Sequence, residues 1–410
     1  MKTITMAWRN LLRQKRRTLT TLSALIIGLC GVVVFQGYIT SLMTGYRDRM
    51  IHAGLGHLQI ASSPAYFEDG EFNPYAYTLR DTDGLLARLR SDPGVLAAFP
   101  STGFTSIAGI GDRSATLLVK GYPADRMFFT PPEGRIVPPS DSFTLGTLLS
   151  GSPPSRGERN GVVLGETAAR ILGVQSGDVL TLMAVLPDGN LNGRDFKVDA
   201  IYRDPGRDKI FAFTDYDTAV DFIGIQGAAV VHVLAKSIGA TQSIAESLPP
   251  GYSVRTWHDL ATYFVQSNAM LNGFLTLIRA IILLVTLFIL ANTMNRIVWE
   301  RMGEWGTLRA MGMRKRGILS VILLEGCFQG IVGGVIGILL GFGVSVLLNL
   351  HGGVPVPFAN SAQRVVVKIH LSGQSVWWNL IPAGFFAGAA SFLPGLRAVR
   401  LTPSECLRQV

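Results

Sequence analysis

Four long apolar stretches, roughly 19–43, 269–295, 317–349 and 375–397, constrain this 410-residue chain more than any other feature. Each supplies about 20 or more mostly uncharged residues, what a helix rising about 1.5 Å per residue needs to cross a hydrocarbon core about 30 Å thick. A chain that is 48% hydrophobic and 16% charged is too apolar for a purely soluble protein. The expected fold class is therefore an α-helical membrane protein with four transmembrane helices and a mixed α/β extracytoplasmic domain, residues 44–268, between the first two spans. The first span has basic residues before it and Cys30 within it, as a signal peptide does, but it is long, lacks a small-x-small cleavage site and has Leu29 before the cysteine. It is read as an uncleaved signal anchor.

Charge sets the expected orientation. Residues 1–18 carry six Lys/Arg and no acid, 296–316 carry six against two, and the tail from Arg397 carries three against one, whereas 47–268 hold 19 basic and 24 acidic residues. By the positive-inside rule both termini and the 296–316 loop face the cytoplasm and the 44–268 block lies outside. All six tryptophans fall near predicted membrane edges. The net charge of +9 thus reads as topology and headgroup attraction, not nucleic-acid binding. Residues 1–18, with Ile4, Trp8, Leu11 and Leu12 at helical spacing, suit an in-plane amphipathic helix or simply a charged flank. The 350–374 segment is expected as a short outer loop and 398–410 as a cytoplasmic tail.

In the outer block, β-branched and aromatic runs predict strands at His57–Ala61, Phe104–Ile110, Ala115–Gly121, Asp178–Ala184, Asp195–Tyr202 and Ala229–Leu234. Helical patterns lie near 81–90, 165–173, 214–223 and 238–247. The Pro-, Gly- and Ser-rich stretch near 127–160 reads as an irregular connector between two lobes. Two ionisable residues fall at membrane depth, Arg279 and Glu325, roughly 25 Å and 12 Å from the inner ends of their helices at about 1.5 Å per residue, too far apart in depth to pair. Arg279 is read as snorkelling or touching the outer domain, and Glu325 as structural. Gly330/Gly334, Gly337/Gly341 and Gly384/Gly388 provide small faces for close helix packing.

The three cysteines form no disulfide framework, and the six histidines have no ligand-like spacing, so no metal site is expected. The sequence contains no GxxxxGK[ST], HExxH or GxSxG motif and is expected not to be an enzyme in its own right.

The most specific segment is ERMGEWGTLRAMGMRKRGI, residues 300–318, in which Met302, Trp305, Leu308 and Met311 recur every third residue along one stripe. Such a stripe in a basic surround would fit a groove on a partner protein, or lie on lipid. This segment, followed by LLEG and a glycine-rich span, resembles the signature of FtsX/MacB-type ABC transporter permeases. AWRNLLRQKRRTLTTL resembles that family's opening, LPGLRAVRLTPSECLR its close, and VVLGETAARILGVQSGDVLTL a segment of its MacB-like periplasmic core. The resemblance implies a dimeric permease served by a separate ABC ATPase that binds ATP and Mg, with no cofactor in this chain. It implies that the 296–316 segment is a coupling helix, with Arg301, Glu304, Trp305, Gly306, Leu308, Arg309, Ala310 and Gly312 engaging the ATPase or shaping the turn.

Length and the opening Gly56-His57-Leu58-Gln59-Ile60 are most similar to the lipoprotein-releasing (LolC/LolE-type) subgroup. That implies acyl chains meeting Val33, Phe35, Leu42 and Met43 of the first span and Phe264, Leu271, Phe274 and Ile278 of the second, a second permease copy or paralogue, and a periplasmic carrier or adaptor. The alternatives are MacB-like efflux of peptides or amphiphiles, FtsX-like signalling to a cell-wall hydrolase, and a membrane-anchored receptor with no ATPase. The expected location is a bacterial inner membrane.

Overall fold

A computed structural model describes residues 15–70, 73–131, 138–155, 157, 160–204, 210–356, 365–371 and 373–400. The amphipathic segment before Lys15 and the tail after Arg400 lie outside them. Helix α1 (Lys15–Met50) passes into one π turn (Ile51–Leu55), where Gly54 (φ +116°) takes a conformation that a β-carbon would strain. Then follow β1 (Leu58–Ala61), α2 (Thr82–Ser91), β2 (Val95–Ile110), β3 (Arg113–Tyr122), β4 (Met127–Thr130), β5 (Phe143–Gly151), β6 (Gly161–Gly165), α3 (Glu166–Leu172), β7 (Val179–Val185), β8 (Leu191–Arg203), β9 (Phe211–Asp215), α4 (Tyr216–Ile223), β10 (Val230–Ala235), α5 (Ala240–Glu246) and β11 (Ser253–Thr256). The remainder is α6 (Thr262–Glu300), α7 (Met302–Ala310), α8 (Lys315–Leu350), the hairpin β12 (Val354–Val356) and β13 (Val365–Val367), α9 (Gly373–Ala390) and α10 (Phe392–Arg400). The chain divides into a helical unit, drawn from residues 1–45, 266–358 and 363–410, and an α/β unit that includes 46–265. Among the described residues, four helical segments are long and apolar enough to cross a membrane.

The α/β unit is built on one 11-stranded mixed sheet in the order β11-β1-β10-β2-β3-β9-β6-β8-β5-β4, with β7 joining β2 and β8. Alternation sends successive side chains to opposite faces. On β2, β3, β6 and β9, Phe104, Val119, Val162, Leu164 and Ala212 enter one core with α3 and α4, while Phe99, Tyr122, Val163 and Phe213 enter another with Phe143 and Tyr202. Since both faces are covered, β6 is buried along its whole length. Helices α3 and α4 each end on a glycine in the left-handed region, Gly173 and Gly224, whose N–H closes the last turn.

All six expected strands and all four expected helices of this unit have counterparts. The stretch 127–160 differs from expectation, because it contributes β4 and β5, which pair with each other and, through β5, with β8. It therefore extends one sheet and does not separate two lobes. Phe143 and Leu145 of β5 are buried in the aromatic core, while Pro138-Pro139 and Pro153-Pro154 flank the strand.

The aromatic core contains His232, which is buried with Nε2 2.8 Å from the Ser101 hydroxyl. Burial, reinforced by Lys120 and opposed by the Leu55 backbone, pushes its pKa down to about 3. His57, which accepts from the Ala235 N–H, is pushed to about 4, first by burial and then by His52. Both values lie below the ordinary 6.5, so the unfolded chain takes up protons first as pH falls. The stabilisation they confer is complete above about pH 6.5 and is lost toward pH 4 and 3, at roughly 1.4 kcal/mol per pH unit per histidine. Protection factors of the β10 amides in the full-length protein, corrected for the intrinsic exchange rate, should fall as the pH is lowered from 6.5 to 4.5. In His232→Leu that pH dependence should be shallower; an equally steep profile would count against this origin.

Candidate functional site

Helix α7 forms because the sequence breaks on both sides of it. Arg301 leaves helical geometry at φ −106°, ψ 20°, and at the other end Gly312 turns at φ +92°, a left-handed position suited to a residue without a β-carbon, before Arg314 leads into α8. The Met302, Trp305 and Leu308 stripe faces inward. Trp305 is 1% exposed and joins Val298 of α6, Ile318, Val321 and Ile322 of α8 and Ala398 of α10, with Leu308 packed at the margin. Met311, the last member of the stripe, is 74% exposed. The apolar stripe therefore chiefly anchors α7 to its own helical unit. Gly306 is buried, and the outward surface of this segment includes Glu304, Thr307, Ala310, Met311 and Arg314.

Arg301 is also inside. Its Nε donates to Glu304 Oε2 at 2.7 Å, its Nη1 lies 3.6 Å from Glu325 Oε2, and its guanidinium carbon sits 4.7 Å from the centre of the Trp305 ring. The Arg301 and Glu325 side chains are 8% and 6% exposed. Glu325, read as structural, thus belongs to the same cluster as the signature arginine. Arg309 is half-buried, with Nη1 donating to the Val399 carbonyl at 3.4 Å.

A second polar group lies elsewhere in the helical unit. Arg279 Nη2 donates to Gln36 Oε1 at 2.9 Å, and Asn379 Nδ2 donates to the same oxygen at 3.1 Å. Arg279 ties α6 to α1 and, through Gln36, to α9. A cavity of about 10 Å³ beside it, lined by Arg279, Trp378, Asn379 and Pro382 among others, is at the lower limit of the space that holds one water.

The eight candidate acyl-chain residues differ in exposure. Val33 is buried, next to Gly341 of α8, and Phe264 is stacked on Tyr46 with its centroid 5.7 Å away. Phe35, Phe274 and Ile278 are exposed, and Leu42, Met43 and Leu271 are half-buried. Sequence reasoning missed Gln36 and Asn379, although each is a polar side chain inside an apolar run.

A family model described as FtsX-like permease C-terminal matches residues 276–403, and one described as MacB-like periplasmic core domain matches residues 18–250. Similar proteins include the uncharacterized ABC transporter permease YvrN of Bacillus subtilis, 23% identical across 99% of this chain and 98% of its own length. The lipoprotein-releasing system transmembrane protein LolE of Haemophilus influenzae is 22% identical across 94% of this chain and 93% of itself. The macrolide export ATP-binding/permease protein MacB of Syntrophobacter fumaroxidans is 26% identical, over 48% of this chain and 26% of itself.

Proposed function

The chain belongs to the FtsX-like ABC transporter permeases with a MacB-like periplasmic core domain, and we propose that it is a permease subunit that extracts lipoproteins from the outer leaflet of a bacterial inner membrane. Lipoprotein release is favoured over efflux because the correspondence with LolE is nearly end to end in both chains, whereas that with MacB takes in about a quarter of the MacB protein. The basic termini and 296–316 loop support a cytoplasmic placement for them and a periplasmic one for the sheet unit. A separate ATPase, holding ATP and Mg, drives the cycle from the cytoplasmic side.

The observation that carries the coupling role is the division of α7 into two faces. One face is locked by Trp305 and Arg301 onto α6, α8 and α10, and the other presents Glu304, Thr307, Ala310 and Met311. A rigid arm with a free face passes an ATPase movement to the bundle. The exposed residues Phe35, Phe274 and Ile278 are the candidates for acyl-chain contact, with the second permease copy or paralogue completing the surface.

A mild-detergent pulldown with mass spectrometry for proteins and acylated peptides tests the whole reading. A separate ATPase with co-purifying lipoproteins is expected. An ATPase with an adaptor or a hydrolase activator and no lipoprotein would shift the reading to efflux or signalling, and no ATPase would remove it. Met311→Asp should weaken ATPase binding by about tenfold or more without lowering the melting temperature, because interface energy concentrates in a few desolvated apolar residues. Unchanged affinity would assign the docking face elsewhere.

A further inference from the structure

We infer that Arg301 does not contact the ATPase but is a positioning residue, linking the coupling helix to α8 through Glu325; this rests on the permease reading above. The guanidinium lies between Glu304, Trp305 and Glu325 and is all but closed to a partner. Its backbone occupies the break between α6 and α7, so it sits where any tilt of α7 relative to α6 must be absorbed.

Glu325 sits beside Gly326, on the part of α8 most tightly joined to α9. A β-carbon at Gly326 would stand 2.8 Å from the Ala387 carbonyl and one at Gly330 2.6 Å from that of Ala383. A displacement of α7 passed through the Arg301–Glu325 pair is therefore delivered to α8 and α9 together. The apolar contacts of Trp305 hold α7 in place but are non-directional. An ion pair buried in a low-dielectric setting adds registry, because separating the charges by even a small slide is costly, while replacing both partners with neutral residues strands no charge.

The test uses the full-length permease in lipid nanodiscs, the ATPase it recruits, and the double substitution Arg301→Gln/Glu325→Gln. The expected result is wild-type affinity for the ATPase with a roughly tenfold loss of permease-stimulated ATP hydrolysis, a size within the usual range of coupling between sites. An affinity loss of similar size would make Arg301 a direct contact, and stimulation within about twofold of wild type would make the pair purely structural; either overturns the assignment. If the double variant does not fold, Arg301→Lys keeps a cation opposite Glu325 but loses the planar stack on Trp305. It should bind the ATPase normally and lose roughly threefold in stimulation, and full stimulation would overturn the inference. An ATPase that fails to bind even the wild-type protein would overturn the permease reading as well, an outcome distinct from a failure in the variants alone.

Discussion

Gly330→Leu is expected to destroy the stable packing of α8 against α9. A β-carbon at Gly330 would stand 2.5 Å from the Ala387 β-carbon, 2.6 Å from the Ala383 carbonyl oxygen and 3.0 Å from the Gly384 α-carbon. Two of those three atoms are backbone, so no rotamer change makes room and the helices must separate. Overpacking of this kind costs about 1–3 kcal/mol for added methylenes in a deformable core, and a side chain driven against helix backbone belongs at or above the upper end. In lipid the loss is not offset by better burial, because close backbone approach is itself what holds such helices together. Gly343 is the matched control, since a β-carbon there meets nothing within 4 Å. Thermal unfolding of the full-length protein in mild detergent should show Gly343→Leu melting near wild type and Gly330→Leu melting many degrees lower or failing to purify as a folded species. Equal melting temperatures would mean that α8 and α9 are not packed as described.

This glycine face was legible in the sequence because small residues at four-residue spacing in an apolar run have one common structural use, but which helix they meet was not. The same division recurs across the molecule. Long apolar runs imposed their own reading, and the β-branched runs of β1, β3 and β10 announced themselves. β5 did not, because its nine residues lie between Pro138-Pro139 and Pro153-Pro154, and the strand is stabilised by β8, about fifty positions away. The Gln36–Asn379 hydrogen bond joins residues at opposite ends of the chain, and no local pattern announces it. For the signature helix, periodicity located the stripe of Met302, Trp305 and Leu308 but could not give its direction, since an apolar stripe satisfies a partner's groove and its own bundle equally well. The structure turns Met302, Trp305 and Leu308 inward and takes Arg301 with them, so the surface left for a partner is the polar and small residues between them together with Met311 at the end of the stripe.

Trp305→Ala should release α7 from the bundle and leave the protein inserted. Trp305 is the largest fully buried side chain in the described residues and the centre of the cluster formed with Val298, Ile318, Val321, Ile322 and Ala398. Truncating a buried tryptophan to alanine costs about 3–5 kcal/mol where the surroundings cannot collapse. The loss is local, because α7 is a nine-residue helix, too short to persist without tertiary contacts. Amide exchange across 302–310 should rise steeply while that of the sheet unit is unchanged, and ATPase binding should fall by about tenfold or more through loss of a preformed docking face. Trp305→Phe separates packing from hydrogen bonding. The indole Nε1 is buried with no hydrogen-bond partner among the described residues, so phenylalanine forfeits volume but no bond. It should retain most of the binding and protection that alanine loses. A phenylalanine variant as impaired as alanine would show that the indole N–H, and not the ring's volume, holds the helix, and would require a partner for that nitrogen in the assembled transporter.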